Sequence, residues 1–210
     1  MDEIEERIYI NDLHMFSDTL DIIRAYIYSN LKEESKIPKW IVNGNFENTR
    51  LLFPTISLVN FIYSKVLITK KEYVKVVALY EKSIAMAKIF PNLICEVFEN
   101  IHIAIAYDNL SKRKDAVEKL EKALEIALSD RLYMIFAENY TDIEDLLDEI
   151  YEKGNFKAQI DEIRRLQKPY DKFLKFVKKE KSRLRSGCGN VGSRDDRRNN
   201  AGEKSARSGK

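Results

Sequence analysis

The chain has 210 residues, of which 44% are hydrophobic and 33% are charged, and it contains only seven glycines and four prolines. This composition is typical of a soluble, all-helical globular protein rather than of a sheet protein or a disordered chain. The formal net charge of +2 is unevenly distributed. Residues 182–210 carry eight Arg or Lys against three Asp or Glu, which leaves −3 for residues 1–181. A mildly acidic body is a poor surface for nucleic-acid phosphates.

The cysteines and the N-terminal segment indicate the compartment. Cys95 and Cys188 form neither a disulfide framework nor a Cys-x-x-Cys metal pair. The first residues are acidic and lack the apolar region of a secretory signal, and no run approaches the roughly 18 apolar residues of a membrane span. We therefore expect a soluble, cytoplasmic protein that makes no contact with a membrane.

The first predicted element is an amphipathic helix over residues 12–33. Its apolar residues recur at steps of three or four, which is the spacing of one helix face. They are Leu13, Phe16, Leu20, Ile23 and Ile27.

A long loop is predicted over residues 34–50. It holds Pro38 and the pair Asn43-Gly44 and shows no sustained period. Trp40 and Phe46 suit either of two roles, which are pinning the loop to the helices or contacting a ligand. Pinning is the favoured interpretation.

Three helix pairs follow, over residues 54–90, 93–129 and 131–181. Pro54 suits the first turn of a helix, Pro91 stops the helix before it, and Gly154 ends another. After residue 181 the apolar period disappears and glycine and arginine become frequent, so residues 182–210 are predicted to be a disordered basic tail.

The first two pairs repeat a pattern of small and large residues at an offset of 40. The second pair carries it at Ala104, Tyr107, Ala116, Leu120 and Ala123, and the first at Ser64, Leu67, Val76, Tyr80 and Ser83. Small residues let two helices approach closely, and larger ones fill the groove between them. The spacing resembles the tetratricopeptide repeat, although that repeat has a period of about 34. Asn60 and Asn100 stand where the repeat has its Trp. We expect an all-α solenoid of stacked antiparallel helix pairs.

Four strings carry a more specific resemblance. They are IPKWIVNGNF, SKVLITKKEYVKVVALYEKSIAMAKIFPN, AIAYDNLSKRKDAVEKLEKALEIALSDRLYMIFAEN and LLDEIYEKGNF. Together they resemble the helical-repeat region of large bacterial LuxR-type transcription regulators, the group that includes the maltose-regulon activator. In that family the repeats receive an inducer or a partner protein and control the switch between resting and active assemblies.

The sequence departs from this family pattern at both ends. It contains no GxxxxGK[ST] phosphate loop, so ATP binding is not expected. After KKEKSRL the family continues with a segment of the form LTxRE that leads into a DNA-reading helix-turn-helix domain, and here the tail stands instead. The tail has three interpretations, which are a frame-shifted or truncated gene end, a genuine basic arm and a cloning remnant. DNA contact is therefore expected only through a separate or missing domain, or through the tail if it is a basic arm.

Catalytic and metal-binding patterns are weak. An acidic run over residues 142–149 alternates with apolar residues and is typical of a solvated helix face. Glu99 and His102 form a Glu-x-x-His pair, but the second pair that a di-iron site needs is missing, so His102 is interpreted as a satisfied residue on a packed helix. The sequence predicts a protein that is not an enzyme and takes no cofactor or metal.

The first helix of each pair is the candidate receptor face of the solenoid. An apolar row with a few polar ends suits a peptide or a small ligand, although neighbouring helix pairs would bury the same row. The row consists of Leu58, Phe61, Lys65, Phe98, Ile101, Ile105, Asp108 and Asn109. The sequence thus predicts the sensor and coupling module of a LuxR-type regulator. The alternative is a free-standing tetratricopeptide-like adaptor, and the candidate partners are a protein, a peptide, a small inducer or a second copy of the chain.

Overall fold

The computed structural model describes residues 7, 10, 16–46, 49, 51, 55–89 and 91–188, and of residues 184–188 only the backbone. The chain divides into two compact units, Met1–Tyr170 and Asp171–Lys210. In the described residues all regular structure is helical. The eight α-helices are α1 (Ser17–Asn30), α2 (Lys39–Val42), α3 (Ile56–Thr69), α4 (Tyr73–Ile89), α5 (Leu93–Asn109), α6 (Arg113–Leu128), α7 (Met134–Glu152) and α8 (Lys157–Cys188).

The helix bounds can be compared with those predicted from the sequence. The pair predicted over 54–90 corresponds to α3 and α4, the pair over 93–129 to α5 and α6, and the pair over 131–181 to α7 and α8. Residues 182–188 continue α8 rather than beginning the tail, because residues 155–186 contain no glycine to end the helix. The predicted helix residue Leu13, the predicted helix start Pro54 and the tail residues 189–210 lie outside the described residues. No helix in the described part of the chain is both long and apolar enough to cross a membrane.

The same turn follows four of the helices. After α1, α3 and α5, the residues Lys32, Lys71 and Ser111 take left-handed backbone conformations with φ of 57°, 59° and 60°. In each of these three turns the next residue donates its N–H to a carbonyl five residues earlier, over 2.8 to 2.9 Å. The turn after α6 has a left-handed Arg131 and the same hydrogen bond, from the Leu132 N–H to the Ala127 carbonyl over 3.1 Å. This is the hydrogen bond of a Schellman motif, which satisfies the last carbonyls of the helix and turns the chain sharply. Lys71 and Ser111 are 40 residues apart, which is the offset of the sequence repeat.

Helix α5 is the centre of the first unit. Eleven of its residues are buried, and it packs against α3, α4, α6 and α7. Ala104, Ala116 and Ala123 are fully buried between α5 and α6. Their small side chains let the axes of the two helices approach closely. The small residues of the repeat therefore lie in the core between paired helices.

Three members of the apolar stripe predicted for α1 face outward, and a fourth, Leu20, is half-buried. Phe16, Ile23 and Ile27 are 43–47% exposed, and the residues that α1 buries are Ile22, Ala25 and Ser29. Helical spacing shows that apolar residues share a face, but not whether another helix covers that face. This helix is attached to the rest of the unit by its less apolar side.

The connection between α1 and α3 contains a short 3-10 helix (Glu34–Lys36) and α2. Trp40 and Phe46 pin it, as predicted. The Trp40 and Phe46 rings meet edge to face at 5.9 Å, and the Phe46 and Tyr63 rings at 5.1 Å. The Trp40 indole N–H also donates to Asp21 over 2.8 Å, which ties the connection to α1.

Gly44 is required for this pinned loop. Its φ is +67°, and a Cβ added there would overlap the Tyr63 hydroxyl, whereas Gly154 has φ +91° and open space around the same position. We expect Gly44→Ala to lower the free energy of unfolding by about 2–4 kcal/mol. The alanine would have to adopt a left-handed backbone conformation, and its Cβ would also overlap the Tyr63 side chain. Gly154→Ala should cost only the strain, about 1–2 kcal/mol. Urea denaturation of both variants measures the difference, and equal losses would contradict the overlap.

Candidate functional site

The predicted row is brought together between α3 and α5. The Phe61 and Phe98 rings stack with their centroids 4.4 Å apart and their planes 8° from parallel. Five members of the row are at most 7% exposed, and they are Phe61, Lys65, Phe98, Ile101 and Ile105. These residues are therefore packed inside the unit and do not line an open receptor face.

The residues at the ends of the row are more exposed, and two of them form contacts with other residues of the same chain. Asp108 is half-buried and forms an ion pair with Arg113 at 2.8 Å. Asn109 is exposed, and its amide donates to the Ile105 carbonyl one turn earlier over 2.9 Å. Leu58 at the other end is 36% exposed. The row does not form one continuous surface.

Helices α1 and α7 cover the aromatic part of the row. The Tyr26 ring of α1 lies edge-on to Phe61 and to Phe98, with centroid distances of 6.1 and 6.2 Å. The Tyr26 hydroxyl donates a hydrogen bond to the Glu138 carboxylate of α7. Burial raises the pKa of both groups, and the negative charge of Glu138 adds to the rise at Tyr26. This contact joins α1 to α7 across the stacked rings.

We call the residues between α1, α3, α5 and α7 the inner cluster. It combines stacked aromatic rings with charged and polar groups in a largely water-excluded space. Its members are Tyr26, Phe61, Lys65, Phe98, His102, Glu138 and Asn139.

Lys65 is the buried cation of the inner cluster. Its ammonium group donates to the Asn139 side-chain oxygen over 2.9 Å. Burial lowers the pKa of Lys65 to about 8, and the carboxylates of Glu138 and Asp142 oppose that effect. Asn139 is itself held in position because its amide donates to the Ile135 carbonyl over 2.8 Å. The charged form at neutral pH thus depends on one direct hydrogen bond and on nearby negative charge.

His102 is packed but is not hydrogen-bonded, contrary to the sequence interpretation. It has no exposed surface, and neither ring nitrogen has a partner among the described residues. Burial, together with the positive charge of Lys65, holds the pKa of His102 well below its usual value. The ring is therefore neutral at pH 7 and lies against Phe98, with centroids 5.7 Å apart.

Glu99 is a third buried ionisable residue, on the side of α5 that meets α3 and α4. One carboxyl oxygen accepts from the Ser64 hydroxyl over 3.2 Å, and the other has no partner among the described residues. Burial raises the pKa of Glu99 to about 8, although Ser64 and Ser83 act against the rise. Ser64 and Ser83 occupy the repeat positions where the second helix pair has Ala104 and Ala123. A serine in place of the alanine at both positions is therefore the feature of the sequence that indicates a buried polar side chain beside them.

The acidic run on α7 is a solvated helix face, as predicted. Asp142, Glu144, Asp145 and Asp148 are exposed. Arg113 pairs with Glu149 at 2.8 Å, and Arg164 pairs with Asp148 at 2.6 Å. In the described residues no three His, Cys, Asp or Glu side chains are arranged to hold a metal ion.

The thiol of Cys95 is not activated for chemistry. Cys95 is fully buried on α5, and burial raises the pKa of its thiol to about 12, with Glu99 and Glu96 adding to the rise. A thiol with such a pKa is almost entirely protonated at pH 7 and is a weak nucleophile. Its part in this structure is packing.

Comparison with known proteins gives no assignment, because no family model, curated protein or solved structure matches this chain. The function must therefore be argued from the repeat, the inner cluster and the exposed side chains.

The protonation of Glu99 predicts a pH-dependent stability. The folded protein keeps the Glu99 proton up to about pH 8, whereas the unfolded chain releases it near 4.5. The resulting stabilisation is complete below pH 4.5 and is lost as the pH rises through 8. Between pH 6.5 and 8 the free energy of unfolding should fall by about 1 kcal/mol per pH unit from this group.

Glu99→Gln tests this origin, because the amide keeps the shape and cannot titrate. Urea denaturation at pH 6.5, 7.25 and 8 should show a smaller fall for the variant than for the wild type, and the variant should become the more stable protein by pH 8. Parallel pH curves for the two proteins would contradict the assignment of the proton to Glu99.

The Lys65–Asn139 hydrogen bond is tested by a double-mutant cycle. Asn139→Ala alone should lower the free energy of unfolding by about 2–4 kcal/mol, since it leaves a buried ammonium group without its acceptor. Lys65→Met should be nearly neutral, within about 1 kcal/mol, because a buried charge is replaced by a chain of similar volume. In the Lys65→Met background Asn139→Ala should cost clearly less, and an undiminished cost would contradict the coupling.

Proposed function

We propose that this chain is a non-catalytic helical-repeat binding module, similar to the sensor and coupling region of LuxR-type transcription regulators. Its helix pairs stack as in tetratricopeptide repeats, at a period of 40 residues. The observation that carries the proposal is a turn that recurs after the first helix of two successive pairs. Its left-handed residues, Lys71 and Ser111, are separated by that period. Sequence repeat and backbone geometry agree at the same offset, which supports a stacked array.

The use of ionisable side chains also supports a binding module. Lys65, Glu99 and His102 are buried in the packing between helices, whereas the carboxylates of the acidic run over residues 142–149 on α7 are solvated or paired with arginine. Groups in such positions set the relative placement of helices, and that placement is what a coupling module changes when it binds an inducer or a partner.

Exposed apolar residues favour a second candidate, a free-standing adaptor for other proteins. They lie beside the connections between helix pairs, at Leu93 and Ile94 at the start of α5 and at Leu128 and Met134 around the next connection. Ile94 and Met134 are 46% and 45% exposed and stand 40 residues apart, so the exposed positions also follow the repeat. A protein partner would cover such side chains.

The genomic DNA on both sides of the coding frame separates the two candidates. The LuxR-type proposal predicts a nucleotide-binding module encoded upstream and a segment of the form LTxRE with a helix-turn-helix pattern downstream, in the same or a shifted frame. Flanking DNA that encodes neither would contradict that proposal and leave the adaptor.

A thermal-shift screen of sugars, peptides and small metabolites tests binding directly. A ligand present at 100 times its Kd stabilises the folded protein by about 2.7 kcal/mol, and we expect its melting temperature to rise by roughly 5–10 °C. For a protein or peptide partner, Ile94→Asp and Met134→Asp should abolish the shift. Val74→Asp is the matched control, because Val74 is an exposed apolar residue at the other end of α4. Equal loss in all three variants would contradict a partner surface at the connections.

A further inference from the structure

Helix α1 has two unlike faces, and it is attached by the weaker one. Only three of its residues are buried, against eleven in α5. Of these three, Ala25 and Ser29 are small, and the Ser29 hydroxyl has no partner among the described residues. Its apolar stripe of Phe16, Ile23 and Ile27 faces away from the unit. Because apolar burial is the main stabilising term, α1 is held less firmly than the helices around α5.

Tyr26 is the residue of α1 that contacts α3, α5 and α7 at once. The ring meets both members of the Phe61–Phe98 stack, and the hydroxyl reaches Glu138 on α7. Ile22 is also buried in the core, and Asp21 accepts from the Trp40 indole N–H of the connection. A further link is the ion pair of Lys32 with Asp142 at 4.0 Å, where both side chains are well exposed. Exposed pairs of this kind contribute little. Tyr26 is therefore inserted into α3, α5 and α7 in the way an anchor residue of a bound helix enters a groove.

The surface under α1 has the chemistry of a helix-binding groove. It offers a pair of stacked rings for an aromatic side chain and the Glu138 carboxylate for a hydrogen-bond donor beside that ring. The small residues Ala25 and Ser29 of α1 let its backbone lie close to this surface. The same face contains Phe61, Lys65 and Phe98 from the predicted receptor row, which α1 now covers.

We propose that α1 is a displaceable intramolecular ligand, and that the groove of α3, α5 and α7 beneath it binds an amphipathic helix of a partner protein. The partner helix presents an aromatic residue with a hydrogen-bond donor to Phe61, Phe98 and Glu138, with one small residue directly before it and another one turn after it. In the resting chain α1 blocks this groove, and its release makes the groove available. This mechanism rests on the proposed binding function and specifies where the partner enters.

A labelled synthetic peptide with the sequence of residues 16–33 is the probe, and its fluorescence anisotropy is measured against the full chain. In the wild type the covalently attached α1 competes at a high effective concentration, so the peptide should bind weakly. Chains with Tyr26→Phe or Tyr26→Ala lose part of that competition, and the peptide should bind the Tyr26→Ala chain at least tenfold more tightly than the wild type. The Ile23→Ala chain is the matched control, since Ile23 lies on the exposed face of α1, and its affinity should equal that of the wild type.

Variants of the peptide identify the face that binds. A peptide with Tyr26→Ala should lose binding, and a peptide with Ile23→Ala should keep it. The opposite order would show binding through the outer stripe and would overturn the proposal. So would a cooperatively melting Tyr26→Ala or Tyr26→Phe chain that binds the peptide no more tightly than the wild type. If Tyr26→Ala does not fold, the Tyr26→Phe chain decides alone, because only the hydroxyl is removed.

Failure of this mechanism and failure of the proposed function give different results. A chain that takes up the peptide as expected but responds to nothing in the thermal-shift screen contradicts the sensor function and leaves α1 displaceable. A chain that binds a ligand in the screen but never takes up the peptide contradicts displacement and leaves the binding function.

Discussion

The middle of helix α5 is packed on every side, and the polar side chains buried there lie against neighbouring helices. Eleven of its seventeen residues are buried, including Glu99, Asn100 and His102. Asn100 accepts from the Tyr80 hydroxyl over 2.8 Å and donates to the Glu96 carbonyl, and Glu99 accepts from Ser64. An unpaired buried polar group is expensive, so these bonds fix how α3 and α4 sit against α5. The arrangement of the first unit follows from this constraint.

The same constraint explains why stability is unequal across the unit. Around α5 the helices meet through alanines with no exposed surface and through apolar side chains packed on both sides. Helix α1 meets the unit through Ile22, the Tyr26 ring, two small residues and hydrogen bonds to Glu138 and from Trp40. It buries three residues and leaves Phe16, Ile23 and Ile27 partly exposed. Elements with few buried apolar contacts open first in a folded protein, and such elements are the ones available for binding and switching. A tightly packed α5 and a loosely held α1 are consistent with the coupling function proposed above.

The sequence predicts where the helices lie, but it does not predict which of their faces are covered by other helices. Apolar spacing, Pro91 and Gly154 indicate the pairs α3–α4, α5–α6 and α7–α8, because local periodicity and helix-ending residues act within a few residues. Whether an apolar row is covered depends on which helix packs over it, and this is a long-range property. For that reason the sequence leaves two interpretations open for Phe61 and Phe98, a receptor face or burial by neighbouring helix pairs. In the structure both are buried, while Ile23 and Ile27 of the α1 stripe are exposed. The buried Glu99 has a signal in retrospect, since apolar residues surround the middle of α5 at every angle and a polar residue placed among them is buried.

Native-state hydrogen exchange, measured helix by helix on the full chain, tests this hierarchy most directly. The account predicts that amides of α5 and α6 exchange only through global unfolding, while those of α1 exchange through a smaller opening that leaves α5 protected. Raising the urea concentration should therefore accelerate exchange in α5 more steeply than in α1, because global unfolding exposes more surface. Exchange of α1 at the same rate and with the same urea dependence as α5 would contradict the account, since it would show that α1 is part of the cooperative core.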